Sequence, residues 1–147
     1  MPESQSIDPR IAESFTKQGI MNTLGARLLH AHQGKAVIEV HNSPEVSQQH
    51  GFIHAGVLAT VADSACGYAA MSLLPPDRGV LSIEFKVSLL EPALGDRFHA
   101  KARVIKSGRK IQFVEAEIIN PDGDQEQLIA RMSATISAVD QSRMSNR

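Results

Sequence analysis

The segment 54–73, HAGVLATVADSACGYAAMSL, constrains this chain more than any other. It is rich in Ala, apolar on most sides, and holds no Lys, Arg or Glu. At this length it reads as a helix, and Pro75-Pro76-Asp77 ends it firmly. A helix that is apolar nearly all round belongs in an interior. The chain has 147 residues, which fits a single domain spanning 1–147. The other elements must therefore wrap this helix.

Those elements are legible as strands. Residues 35–41 alternate, with Ala36, Ile38 and Val40 on one face. Strand-like segments also cover 22–32, 79–90, 96–107, 110–119 and 126–138, and 42–53 reads as a loop. Gln33-Gly34, Gly95-Asp96, Ser107-Gly108 and Pro121-Asp122-Gly123 supply turns. A short amphipathic helix is expected over 8–19, capped by Asp8, with Pro9 in its first turn and Gly19 as its stop. Ile11, Phe15 and Ile20 would form its apolar stripe. From about Asp140 the tail is polar and expected to fray. The order of helix, two strands, buried helix and four strands predicts an α+β fold, with one antiparallel sheet wrapped around a central helix. The sheet's remaining edges need cover, and a second copy of the chain would provide it.

Composition narrows the function. Fifteen basic residues face 16 acidic ones, so nothing favours a nucleic-acid or membrane partner. An anionic ligand must be held by a local basic cluster. The single Cys66 excludes an intramolecular disulfide and suits a reducing compartment. The N-terminal stretch lacks the pattern of a signal peptide, and no window is apolar enough for a membrane span. A cytoplasmic protein is expected.

Asp63 is conspicuous because it lies in the middle of the most apolar helix. It can simply face solvent or cap a neighbouring backbone, but a buried carboxylate needs a partner or a task. His54 opens the helix and His50 precedes it. Two His and one Asp suggest a metal site, but Gly51 argues against a helix that begins early enough to align them, and no metal is expected. Ala55 and Gly56 fall at the helix start, where backbone N–H groups are free and the helix dipole is positive. Such N–H groups can serve as an oxyanion hole. Asp63 lies eight residues after Ala55, about 12 Å along the helix axis. One carbonyl group cannot touch both within a single helix. Two such helices packed antiparallel would bring the Asp63 of one chain near the Ala55 of another.

The stretch Gln48-Gln49-His50-Gly51-Phe52-Ile53-His54-Ala55-Gly56-Val57, with Asp63 nine residues after His54, resembles the signature of the PaaI-like hotdog thioesterases. So do GVLSIEFKVSLLEPA and RVIKSGRK, and the similarity covers about residues 10–138. The resemblance implies a hotdog fold, a homo-oligomer built on a paired-sheet dimer and extended to a dimer of dimers, and hydrolysis of acyl-CoA. It implies that Asp63 is nucleophile or general base, that the Ala55 N–H at the turn with Gly56 polarises the thioester carbonyl, and that His54 and Gln48 orient water and carbonyl. No cofactor is implied beyond the coenzyme A of the substrate. Two departures stand out. Ala55 replaces the first Gly of His-Gly-Gly, which preserves the N–H. Gly67 stands where some relatives place a hydroxyl one turn after the carboxylate, so that hydroxyl is missing here, with Ser64 and Ser82 as candidate substitutes.

The phosphates of coenzyme A need cations. The turn Lys106-Ser107-Gly108-Arg109-Lys110 is the first candidate to hold them, and Arg78 the second. Tyr68, Met71, Leu74 and Phe52 are candidate acyl-pocket residues. Cys66 sits among Ala65, Gly67 and Ala69, and packing explains it better than nucleophilic chemistry does. Two other readings remain: a non-catalytic acyl-CoA-binding module, and a hotdog dehydratase or hydratase. The first gives no reason for Asp63, and the second lacks a helix motif pairing Asp with His.

Overall fold

A computed structural model describes residues 5–144. The elements run α1 (Pro9–Thr16), α2 (Gly19–Leu24), β1 (Arg27–His32), β2 (Lys35–His41), α3 (Ala55–Met71), β3 (Arg78–Leu89), β4 (Arg97–Ser107), β5 (Ile111–Asn120) and β6 (Gln127–Asp140). The strands form one antiparallel sheet in the order β1-β2-β4-β5-β6-β3. It curls around α3, which packs against β2, β3, β4, β5 and β6.

Small faces let helix and sheet approach closely. From α3 come Val61, Ala62, Ala65, Cys66 and Ala69, all fully buried. Alternate residues of the strands face them: Ala36, Ile38 and Val40 on β2, Phe98 and Ala100 on β4, Ala134 and Ile136 on β6. The alternation expected for 35–41 therefore faces the core as read. On β2 and β4 the opposite face is largely polar. There Glu39, only 3% exposed, meets His99 at 2.8 Å and both Arg27 and His41 at 3.1 Å. Burial alone would raise the pKa of the Glu39 carboxyl, but hydrogen bonds from His99 and His41 and the charge of Arg27 outweigh it and hold that pKa below the usual value.

The N-terminal region departs from the sequence expectation. Asp8 caps α1 through the Arg10 N–H at 2.9 Å, as expected, but Gly19 begins α2 instead of ending α1. Residues 22–24 are helical, and Gly25, at φ +64°, stops α2 in the left-handed region that glycine favours. The strand expected from residue 22 thus starts at Arg27. Burial of Met21 decides the matter, because α2 turns that side chain fully into the core while Ile20 remains exposed. Arg10 then clamps the far end of α3, donating to the carbonyls of Met71 at 2.8 Å, Pro75 at 2.8 Å and Leu74 at 3.1 Å. Those carbonyls include orphans of a helix C-terminus.

At the C-terminal end the last strand passes into a short turn. β6 runs to Asp140, whose side chain accepts from the Ser142 N–H at 3.0 Å, and the Gln141 N–H donates to the Asp77 carbonyl at 2.9 Å. A short hydrogen-bonded turn therefore continues from Gln141 to Met144. Residues 1–4 and 145–147, part of the polar ends read above, lie outside the described residues. Among the described residues, no helix is long and apolar enough to cross a membrane.

Candidate active site

The sequence between β2 and α3 folds to present the start of the helix. The Gln48–Gly51 turn closes with the Gly51 N–H on the Gln48 carbonyl at 3.0 Å, and Gly51 takes φ +86°. The Gln48 side-chain oxygen accepts from the His50 N–H, which leaves its amide NH₂ for the cleft beside it. His54 is the N-cap of α3, and its Nδ1 accepts from the Gly56 N–H at 2.8 Å. A ring nitrogen that accepts carries no proton, so the proton of neutral His54 lies on Nε2. The Gly56 N–H is thus engaged. The Ala55 N–H has no partner among the described residues and is the free donor at this end. Gln48, His54 and Ala55 line a cleft of about 530 Å³ whose other walls are apolar apart from Glu91, with Phe52, Leu58 and Leu90 among them.

Asp63 lines a second cleft, of about 350 Å³, two turns further along α3. It is half-buried, and its Oδ1 accepts from the Ser82 hydroxyl at 2.6 Å. Ser82 can reach it because of a bulge in β3. The register passes from Ser82↔Ile136 to Glu84↔Thr135 and Phe85↔Ala134, so Ser82 and Phe85 both face α3 although two residues separate them. A bulge re-aims side chains in this way. Ser82 therefore supplies the hydroxyl that Gly67 lacks, whereas the Ser64 hydroxyl donates to Gln18 Oε1 at 2.7 Å. The structure places Ser82 with the carboxylate, apart from the basic turn.

The remaining candidates separate clearly. Tyr68 and Met71 line the Asp63 cleft, Phe52 lines the other, and Leu74 lines neither. Ser107, Gly108, Arg109 and Lys110 form an exposed hairpin turn. The Gly108 N–H already donates to the Ile111 carbonyl at 2.9 Å, so that amide is not free for an anion. Lys110 shares a third cleft with Arg78 and Arg143. Arg143 escaped sequence analysis because it lies in the stretch expected to fray. This cleft shares Leu81 and Met144 with the Asp63 cleft, so the two form one surface. Cys66 is fully buried; burial first, and the negative charge of Asp63 second, push its pKa up to about 12. No thiolate is present near neutrality. No three His, Cys, Asp or Glu side chains among the described residues gather as a metal site.

A long helix wrapped by a curled antiparallel sheet of six strands is the hotdog fold. Known proteins agree. The model of the thioesterase superfamily matches residues 50–127. A thioesterase family protein from Silicibacter pomeroyi is 42% identical, with a TM-score of 0.85 over 89% of this chain and 96% of that one. The 1,4-dihydroxy-2-naphthoyl-CoA hydrolase of Listeria monocytogenes is 27% identical over 81% of this chain and 94% of its own. The E. coli PaaI protein, 21% identical with a TM-score of 0.79 over 88% of this chain and 91% of that one, shares the fold. The chain belongs to the thioesterase superfamily. It is a thioester hydrolase.

Proposed function

We propose that the chain hydrolyses small, medium-chain or aromatic acyl-CoA thioesters to free acid and coenzyme A, at a site completed by two copies of itself. The observation that carries this reading is the division of the chemistry along α3. A free N–H donor at Ala55 and a hydroxyl-braced carboxylate at Asp63 line separate clefts of one chain, about 12 Å apart along the helix. Each is half of a hydrolytic site. β3 is an edge strand with Leu81, Ile83, Phe85 and Leu89 exposed, an edge suited to cover by a second copy. Antiparallel pairing there would set two α3 helices side by side in opposite directions, so that Ala55 of one copy meets Asp63 of the other.

In that site the thioester oxygen accepts from the Ala55 N–H, where negative charge develops during attack. His54, with its proton on Nε2, and the Gln48 amide orient the carbonyl and water. Asp63 Oδ2, left open by the Ser82 bond to Oδ1, either adds to the carbonyl carbon or takes a proton from attacking water. On the first route the C–S bond breaks, coenzyme A leaves as thiolate, and water then hydrolyses the acyl–Asp63 anhydride to release the acid. On the second, water adds to the carbonyl, the C–S bond breaks, and the proton held by Asp63 passes to the leaving sulfur. Arg109, Lys110, Arg78 and Arg143 supply cations for the phosphates. The hydrolase and acyl-CoA thioesterase relatives support the substrate class. The setting is a cytoplasmic homo-oligomer.

The test is free-thiol release from a panel of acyl-CoA esters by wild type and Asp63→Asn. Wild type releases thiol, and the variant loses roughly 10²–10⁴-fold in kcat with its fold unchanged. Retained activity in Asp63→Asn removes the carboxylate from the mechanism. No release from any ester, with coenzyme A still bound, would favour a non-catalytic acyl-CoA module.

A further inference from the structure

We infer that the Asp63 cleft selects acyl groups that carry a hydrogen-bonding function at their far end, and that Gln18 and Tyr68 are the residues that read it. The inference rests on the thioesterase reading and names the substrate class of that same site. The cleft, at about 350 Å³, lies near the lower end of small-molecule pockets. Asp63 and Ser82 occupy one part of it, and Gln18, Tyr68, Ser64 and Ser14 line another. Tyr68 stands five residues beyond Asp63, about 7.5 Å along the axis of α3. An acyl group whose carbonyl meets Asp63 and whose chain follows the helix brings its tip to this polar wall.

The wall has capacity to spare. Gln18 Nε2 donates one N–H to the Tyr68 hydroxyl at 2.9 Å, and Gln18 Oε1 accepts from Ser64 at 2.7 Å. Ser14 Oγ lies 3.3 Å from the Tyr68 hydroxyl. The second N–H of the Gln18 amide has no partner among the described residues. Gln18 is the N-cap residue of α2, yet its side chain makes no capping bond. The break between α1 and α2 is what turns this amide toward α3. The cleft at the other end of α3 sets Phe52, Leu58, Leu89 and Leu90 beside Gln48, His54 and Glu91, and so offers an alkyl chain more apolar wall than the Gln18–Tyr68 corner does. An alkyl tip in the Asp63 cleft would strip water from Gln18 and Tyr68 and return no hydrogen bond.

The experiment compares kcat/KM for 6-hydroxyhexanoyl-CoA and heptanoyl-CoA, two acyl groups of equal length that differ in a terminal hydroxyl against a methyl. Wild type favours the hydroxy ester by roughly tenfold, about one hydrogen bond's worth. Gln18→Leu abolishes that preference by raising heptanoyl-CoA relative to its partner. Tyr68→Phe, which keeps the ring packed 6.1 Å from Phe15, reduces it. Equal or better turnover of heptanoyl-CoA by wild type overturns the inference. So does an equal loss on both esters in the two variants, which marks the network as structural glue between α1–α2 and α3. Failure of the thioesterase reading looks different: no thiol is released from either ester by wild type.

Discussion

The N-terminal end of α3 and the Asp63 turn lie on one helix but offer opposite chemistry. The first offers backbone: the Ala55 N–H is available because a helix start leaves it unpaired. The second offers a side chain, and its usefulness depends on Ser82 from the bulge of β3. The difference governs which sequence changes each end tolerates. Ala in place of Gly at position 55 leaves the donor intact, because the donor is backbone. Under the proposed mechanism the carboxylate end has no such freedom in Asp63 itself, but its bracing hydroxyl can come from another element. Where the helix carries Gly67, the strand supplies Ser82.

Breaking the backbone half has a larger effect than weakening the brace on the carboxylate. Ala55→Pro removes one N–H at the first helical position, where proline is accepted. His54 already has the extended conformation, φ −65° and ψ 138°, that a following proline demands. The fold should survive and kcat should fall about 10²–10³-fold, the loss expected for one oxyanion donor. Mixing this variant with Asp63→Asn sharpens the comparison. If the site lies between copies, co-expressed chains form mixed dimers in which one of two sites is whole, and roughly a quarter of the wild-type activity returns. No recovery in verified mixed dimers would place both halves within one chain.

Weakening the side-chain half without removing it has a smaller effect. Ser82→Ala leaves Asp63 charged but takes away its 2.6 Å hydrogen bond. A loss of about tenfold in kcat is expected, in line with one hydrogen bond to a charged group, and KM should move little. An unchanged kcat would mean that Asp63 needs no brace. Gly67→Ser in the Ser82→Ala background then asks whether a hydroxyl one turn along the helix restores the rate.

Most of the fold was legible because its signals are local. The charge-free run of α3, the alternation of Ala36, Ile38 and Val40, and the turns at Gly34, Gly95 and Gly123 each read correctly from a few neighbouring residues. The break at Gln18–Gly19 was not. A glycine after a helical stretch looks the same whether it ends one helix or starts the next, and here the distant burial of Met21 decides. Asp63 was conspicuous as a charge in an apolar helix. Ser82 was legible only as one of two candidate hydroxyls beside Ser64, since a one-residue bulge determines which face it occupies. The division between Ala55 and Gly56 was not legible, because it depends on where the His54 ring points. Gln18 stayed hidden for the same reason as the helix break: within one continuous helix it would have been an ordinary polar residue near the C-terminus.

The smallest effect belongs to Cys66, which shares a helix with both halves and serves neither. It lies three residues after Asp63, but its side chain is fully buried toward the sheet while Asp63 opens on a cleft. Burial and the neighbouring carboxylate push its pKa up to about 12, so near neutral pH it is a thiol and a poor nucleophile. Cys66→Ala should leave kcat/KM on any acyl-CoA ester within about twofold, since nothing that would touch the substrate changes. Its cost appears in stability instead, about 1 kcal/mol for the sulfur removed from a packed interior, read as a shift in the denaturant midpoint. An inactive but folded Cys66→Ala would contradict the division of labour along α3, because neither the Ala55 N–H nor the Asp63–Ser82 pair is touched by the change.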